Sequence, residues 1–250
     1  MKEKIYTIPV NEAFDNACSC PFCQLMHKLE TQRVSYTLGA SMMESDAREI
    51  TNTLGFCPRH LKMLFNSSNK LSLALILDTH LQTLRGKINS SASCINDSEK
   101  KIGLFKKNKT NHAAVLSSVI DTNIKSCAIC KNIEHTMDRY IDVFFYMWKN
   151  EPEFKEKFDR CNSICLMHYG MLITEGERYL SSSDFQAFLS SLIKKEDALL
   201  SSLNEDIHKF TLKFDYRNKD IPWGSAKDAP KRVIEYLSGE CIGDDNDEQN

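Results

Sequence analysis

The chain has 250 residues, of which 42% are hydrophobic and 26% charged, and its formal net charge is −2. That length and balance fit one large or two small globular domains with a sizeable core. Near-neutral charge gives no global attraction to nucleic acid or membrane, and the longest apolar candidate, Leu71 to Leu77, falls far short of the ~20 residues a span requires.

The N-terminus, Met1 to Val10, lacks the apolar core of a secretory signal, so the expected location is the cytoplasm. Ten cysteines in a reducing compartment suit metal binding or redox chemistry better than a disulfide framework. The first pair is Cys20-Pro-Phe-Cys23. From Phe22 the apolar positions Leu25, Met26, Leu29, Tyr36, Ala40 and Met43 follow one helical face, interrupted by Arg33. A break at Glu44-Ser45-Asp46 predicts a short helix over 46–54, stopped by Gly55. Cys57-Pro-Arg-His60 opens another helical stretch, and an amphipathic helix is predicted over 71–87. Residues 89–111, rich in Ser, Asn and Lys, read as a linker.

The second half repeats the order. Cys127-Ala-Ile-Cys130 precedes a helical pattern of Ile129, Ile133, Met137, Tyr140, Phe144 and Met147. Asn150-Glu151-Pro152 breaks it, a short helix follows over 152–160, and Cys165-Leu-Met-His168 comes next. A long amphipathic helix is predicted over 184–210. The C-x-x-C pairs are offset by 107 residues and the C-x-x-H pairs by 108. Met-Leu follows each histidine, at Met63-Leu64 and Met171-Leu172. These coincidences point to an internal duplication. No strand pattern is found, so the expected fold is all-α, as a tandem helical repeat. The expected organisation is a first metal-binding repeat over 1–88, a linker over 89–111, a second repeat over 112–212, and a C-terminal segment over 213–250 with a short helix and an acidic tail.

Two ligands separated by two residues can be presented from one turn entering a helix, and thiolates with neutral imidazole suit tetrahedral zinc. The candidate ligands are Cys20, Cys23, Cys57 and His60, and Cys127, Cys130, Cys165 and His168, with each site expected to close within its own repeat. A ~20-residue helix runs ~30 Å outward and a ~9-residue helix returns ~14 Å, so extended linkers must complete the return. Buried, reduced cysteines would explain one C-x-x-C, but not a duplicated set with histidine in the same place. Two zinc ions are the expected cofactors, and iron–sulfur clusters are the alternative, since clusters also take thiolates and some histidine. Thiol redox chemistry lacks its usual βαβ context here. Cys18, Cys94, Cys161 and Cys241 have no counterparts, although Cys18 and Cys161 lie close enough in sequence to substitute as ligands.

Weaker features have plainer explanations. Glu205-Asp-Ile-His208 has the Glu-x-x-His spacing of di-iron bundles but occurs once, and reads as a solvated face. Lys100, Lys101, Lys106, Lys107 and Lys109 fit a flexible connector. Tyr216, Arg217 and Trp223 either line a pocket or clamp the C-terminal segment, and clamping is the default because tryptophan usually packs.

The paired motifs, together with Ile8-Pro-Val-Asn-Glu-Ala-Phe14, Gly55-Phe-Cys57, Gly103-Leu-Phe-Lys106, Glu151-Pro-Glu-Phe154, Phe214-Asp-Tyr-Arg-Asn-Lys-Asp220 and Pro222-Trp223, carry a further signal. Through them the chain resembles, nearly end to end, an uncharacterised bacterial protein family with duplicated C-x-x-C and C-x-x-H motifs. Some members of that family are labelled as transporter substrate-binding proteins, a label this sequence does not support. The family is common in anaerobes, which keeps the cluster alternative open. The resemblance implies a layout and no activity.

Three function classes follow. The first is a zinc-stabilised binding or adaptor module with an unknown protein or small-molecule partner. The second is an iron–sulfur redox carrier or sensor. The third is an enzyme with a pocket between the repeats, for which no nucleophile–base pair, phosphate loop or carboxylate dyad can be assigned. The sequence leaves the oligomeric state open.

Overall fold

The computed structural model of the chain describes residues 4–15, 20–99, 112–161, 163–218 and 220–240. Among the described residues the secondary structure is entirely helical, with eleven α-helices in chain order: α1 (Thr7–Asp15), α2 (Pro21–Leu38), α3 (Ser45–Leu54), α4 (Pro58–Asn66), α5 (Lys70–Glu99), α6 (His112–Lys125), α7 (Ala128–Asn150), α8 (Pro152–Arg160), α9 (Leu166–Tyr179), α10 (Ser182–Leu212) and α11 (Ala229–Ser238). Short 3₁₀ turns include Ala40–Met43. The all-α expectation holds.

Several boundaries follow directly from local chemistry. Pro58 and Pro152 stand in the first turns of α4 and α8, where a missing N–H costs nothing. Gly55 ends α3 at φ +61°, its N–H returning to the Thr51 carbonyl. Two elements differ from the sequence reading. The helix predicted over 71–87 continues to Glu99, into the stretch read as a linker. The helix after Cys23 stops at Leu38, and the chain tightens into the 3₁₀ turn Ala40–Met43. The linker lysines 100–109 lie outside the described residues.

The chain forms two compact units. One comprises Met1–Lys28 with Thr136–Asn250, the other Leu29–His135. These units cut across the expected repeats, because α2 and α7 each contribute residues to both.

The first unit is organised around aromatic rings. Phe144 has ring neighbours at 5.3–5.8 Å in Phe14, Phe22, Phe154 and Phe158, from α1, α2 and α8. Phe154 and Phe158 are one turn apart on α8 and both are fully buried. Edge-to-face pairs of this kind add to simple area burial. Lys157 ties α8 to α1 through Asp15 at 2.6 Å and Asn11 at 2.7 Å.

The second unit packs α3 and α6 against α5, with Leu64, Ile76 and Ile129 fully buried. Its decisive connection lies between turns. Ala128 N–H donates to the Gly55 carbonyl at 3.0 Å, and Ser126 Oγ donates to the Leu54 carbonyl at 2.6 Å. The turn leading to Cys57 is therefore fastened to the turn leading to Cys130.

Among the described residues no single helix is long and apolar enough to cross a membrane. The bent pair Ala113–Lys125 and Ala128–Asn150 reaches that composition only jointly, and its second member buries Met137, Phe144 and Met147.

Candidate metal centres

All four motifs are built alike. Each places its first cysteine just before a helix and its second ligand at the third helical residue. Cys57 and Cys165 are the N-caps of α4 and α9, in extended conformation. Cys20 and Cys127 precede α2 and α7, and their carbonyls accept the first helical bonds from Gln24 and Lys131. N-cap and third-residue side chains naturally approach one another, as in a capping box. Cys130 N–H lies 3.5 Å from Cys127 Sγ in that geometry. Each motif thus presents its two ligands from the N-terminal turn of a helix.

The eight predicted ligands come together in two groups, and the ligand atoms of each lie within 4.8 Å of one another. The pairing is not the expected one. Cys20 and Cys23 meet Cys165 and His168, while Cys57 and His60 meet Cys127 and Cys130. Each C-x-x-C is joined by the C-x-x-H of the other half. The expected return of Cys57 to Cys20 required extended linkers, but the chain after α2 spends residues 40–43 on a 3₁₀ turn with only ~2 Å rise per residue. The bonds from Ser126 and Ala128 then hold the Leu54–Gly55 carbonyls at the other C-x-x-C turn.

The first centre, in the first unit, is fully buried. His168 Nδ1 lies 3.1 Å from Cys165 Sγ, 3.4 Å from Cys23 Sγ and 3.6 Å from Cys20 Sγ. Cys23 and Cys165 sulfurs are 3.5 Å apart. The Phe22 ring, inside the C-x-x-C motif, stacks on His168 at 5.5 Å and joins the centre to the aromatic core. The far ring nitrogen of His168 meets the thioether of Met26 at 3.2 Å. Gly239, in the left-handed conformation after α11, brings the chain so close that a Cβ there would stand 3.4 Å from Cys165 Sγ.

The three thiols cannot ionise freely together. Donation to Cys165 raises Cys20 to about 12 and drives Cys23 up as well. The bonds received from Cys20 and Cys23 hold Cys165 well below the usual thiol range. The pocket by itself thus favours one thiolate. A divalent cation at the centre would let all three ionise.

The second centre, in the second unit, is more open, with Cys57 and Cys130 half-buried and His60 and Cys127 buried. His60 Nδ1 lies 3.2 Å from Cys57 Sγ, 3.2 Å from Cys127 Sγ and 3.4 Å from Cys130 Sγ. Cys57 and Cys130 sulfurs are 3.8 Å apart. Burial pushes the His60 imidazole below its ordinary value, so its neutral, ligating form prevails. The other ring nitrogen, Nε2, is 3.1 Å from Glu30 Oε1. That contact falls short of hydrogen-bond alignment. Arg59 holds the same carboxylate through two bonds of 2.8 Å. Burial alone would raise Glu30, but Arg59 and His60 more than offset it and the carboxyl sits below its usual range.

Sequence reasoning missed Glu30, Arg59 and Met26. The available signals were a carboxylate one turn after Met26 on a helix otherwise using that face for burial, and an arginine inside C-x-x-H. Cys161 is buried and stands outside both groups. Cys18 lies outside the described residues.

The other candidates stand outside both groups. Glu205 and His208 are exposed on α10. Trp223 rests on Phe210 at 5.5 Å, Arg217 is paired with Asp215, and Tyr216 is 77% exposed.

Residues 1–244 match a family described as a family of unknown function, DUF6062. The chain belongs to the DUF6062 family. No curated protein and no solved structure matches it. The two Cys/His groups of this DUF6062 chain therefore have to be read from their own chemistry.

Proposed function

We propose that the protein is a zinc protein whose two Cys3His centres are structural and hold a helical scaffold that serves as a binding or adaptor module. The observation that carries this reading is the shape of the ligand sets. With Zn–S near 2.3 Å and Zn–N near 2.0–2.1 Å, a tetrahedral Cys3His site has edges of about 3.5–3.8 Å between ligand atoms. The contacts in the two centres run from 3.1 to 3.8 Å. Four protein ligands fill a tetrahedron and leave no vacancy for substrate, which favours structure over catalysis.

The same spacing speaks against a cluster. A cluster spreads its thiolates over different, sulfide-bridged irons, which sets some of the ligand atoms about 6 Å or more apart. Every ligand atom here lies within 4.8 Å of the others in its group.

Elemental analysis of protein purified without oxygen tests the proposal. Two zinc ions per chain are expected. A brown protein with iron and acid-labile sulfide would replace zinc by clusters, and a metal-free, fully folded protein would refute both.

A further inference from the structure

The two centres share a ligand set but differ in access. In the first, all four ligands are buried, the histidine is stacked under Phe22, and Gly239 closes over Cys165. In the second, the buried side is formed by His60 and Cys127, while Cys57 and Cys130 are half-buried with their sulfurs 3.8 Å apart. A Cys3His zinc centre carries three thiolates against a doubly charged ion, so its core is anionic and its sulfurs remain electron-rich. Thiolate character and exposure together decide which cysteines react with oxidants.

We infer that the second centre is a hydroperoxide-sensitive modification site, in which Cys57 and Cys130 are oxidised to a disulfide and zinc is released, while the first centre is inert under the same conditions. This inference rests on the zinc reading above. Cys57 or Cys130 thiolate attacks one oxygen of the hydroperoxide, the O–O bond breaks, and the sulfur leaves as sulfenic acid with a hydroxide, or an alcohol from an alkyl hydroperoxide. The other thiolate then attacks that sulfur and expels the second hydroxide, forming the S–S bond. Two sulfurs have each lost one electron, and the peroxide has gained two. Solvent protons convert the hydroxides to water. Zinc is left with Cys127 and His60 alone, and a two-ligand site does not retain it.

The fastening of the two turns gives the reaction a conformational output. Cys57 and Cys130 follow the segments joined by the Gly55–Ala128 and Leu54–Ser126 bonds. Shortening the sulfur separation and losing the ion re-set that junction, and a thiol reductant with zinc restores it.

The experiment uses the full-length chain, first shown by elemental analysis to contain two zinc ions. Hydrogen peroxide is added at one to five equivalents, zinc release is followed with a chromophoric chelator, and disulfides are mapped by mass spectrometry. One zinc equivalent is expected to leave at least tenfold faster than the other. A Cys57–Cys130 linkage should accompany it, with Cys20, Cys23 and Cys165 still reduced, and dithiothreitol plus zinc should reverse it. Equal rates for the two ions, a first loss mapping to Cys20, Cys23 or Cys165, or stability of both centres would each overturn the inference while leaving the zinc reading intact. A chain lacking two zinc ions at the outset would instead refute the zinc reading itself.

Discussion

Glu30 stands behind His60, its Oε1 3.1 Å from the imidazole Nε2, on the opposite side of the ring from the three sulfurs. When His60 ligates through Nδ1 its proton sits on Nε2, within reach of this carboxylate as the ring settles on the metal, and such outer partners are worth about 10–100-fold in metal affinity. His168 has a thioether, Met26, in the equivalent place. Glu30→Gln should therefore weaken zinc about 10-fold or more at the second centre alone. Chelator competition on the variant would show one weakened and one unchanged ion. An unchanged second centre would reduce Glu30 to a partner of Arg59.

The cross-pairing makes a prediction about combinations. Cys20→Ser and Cys165→Ser should each lose the same zinc ion, and the double variant should still retain one. Cys20→Ser with Cys57→Ser should lose both. Pairing within each half would reverse these two results. Hydrogen exchange in Cys57→Ser should show loosening around residues 54–60 and 126–130, with residues 20–25 still protected, because metal free energy is folding free energy only where the site is formed.

The contrast between what was and was not legible follows from the range of the forces involved. The four ligand pairs and the helices they start were readable because N-cap and third-residue geometry is local. The same holds for Pro152–Arg160 and for Gly55 as a helix stop. Which pair meets which was not readable, since it depends on Ser126 and Ala128 reaching carbonyls more than seventy residues earlier. The 3₁₀ turn Ala40–Met43, which shortens the return path, carries no strong sequence mark. Helix α1 went unassigned although its Pro9 falls in the first turn, where proline is harmless. The Ser- and Asn-rich end of α5 looked like a linker because those residues compete with helix in isolation.

Gly55 has the most constrained backbone near either centre. Its φ of 61° with ψ of −149° lies in a region that only glycine occupies readily, and a Cβ would stand 2.6 Å from the His80 ring. Strain of this type costs about 1–3 kcal/mol before any clash. His80 has little freedom to retreat, being buried with Nδ1 3.0 Å from the Asn52 carbonyl. Gly55→Ala should destabilise the second unit by about 2 kcal/mol or more and accelerate zinc loss from the second centre. Denaturant unfolding with zinc quantification would test this, and a variant with wild-type stability would mean that the turn relaxes freely.

Acid should act in two separable stages. Zinc-bound thiolates compete with protons at every pH below the ordinary thiol value of about 8.5, so metal loss comes first as pH falls. The docking of α11 on α10 has its own dependence. Asp206 accepts from Arg232 and from Ser225 Oγ, each at 2.7 Å. These bonds, from Arg232 first and then Ser225, hold its carboxyl below the ordinary value. A group depressed on folding contributes its full stability above its unfolded pKa of about 3.9 and loses it as pH falls through the lower, folded value. The second stage is therefore expected below about pH 4. Asp206→Asn removes the charge at all pH values. It should cost about 1 kcal/mol at neutral pH and flatten the response below pH 4 without shifting the pH of zinc loss. Because Trp223 packs on Phe210 at the end of α10, its fluorescence, read in a Trp148→Phe background, reports the second stage while a chelator reports the first. A wild-type low-pH response in the Asp206→Asn protein would show that another carboxylate governs the release of α11.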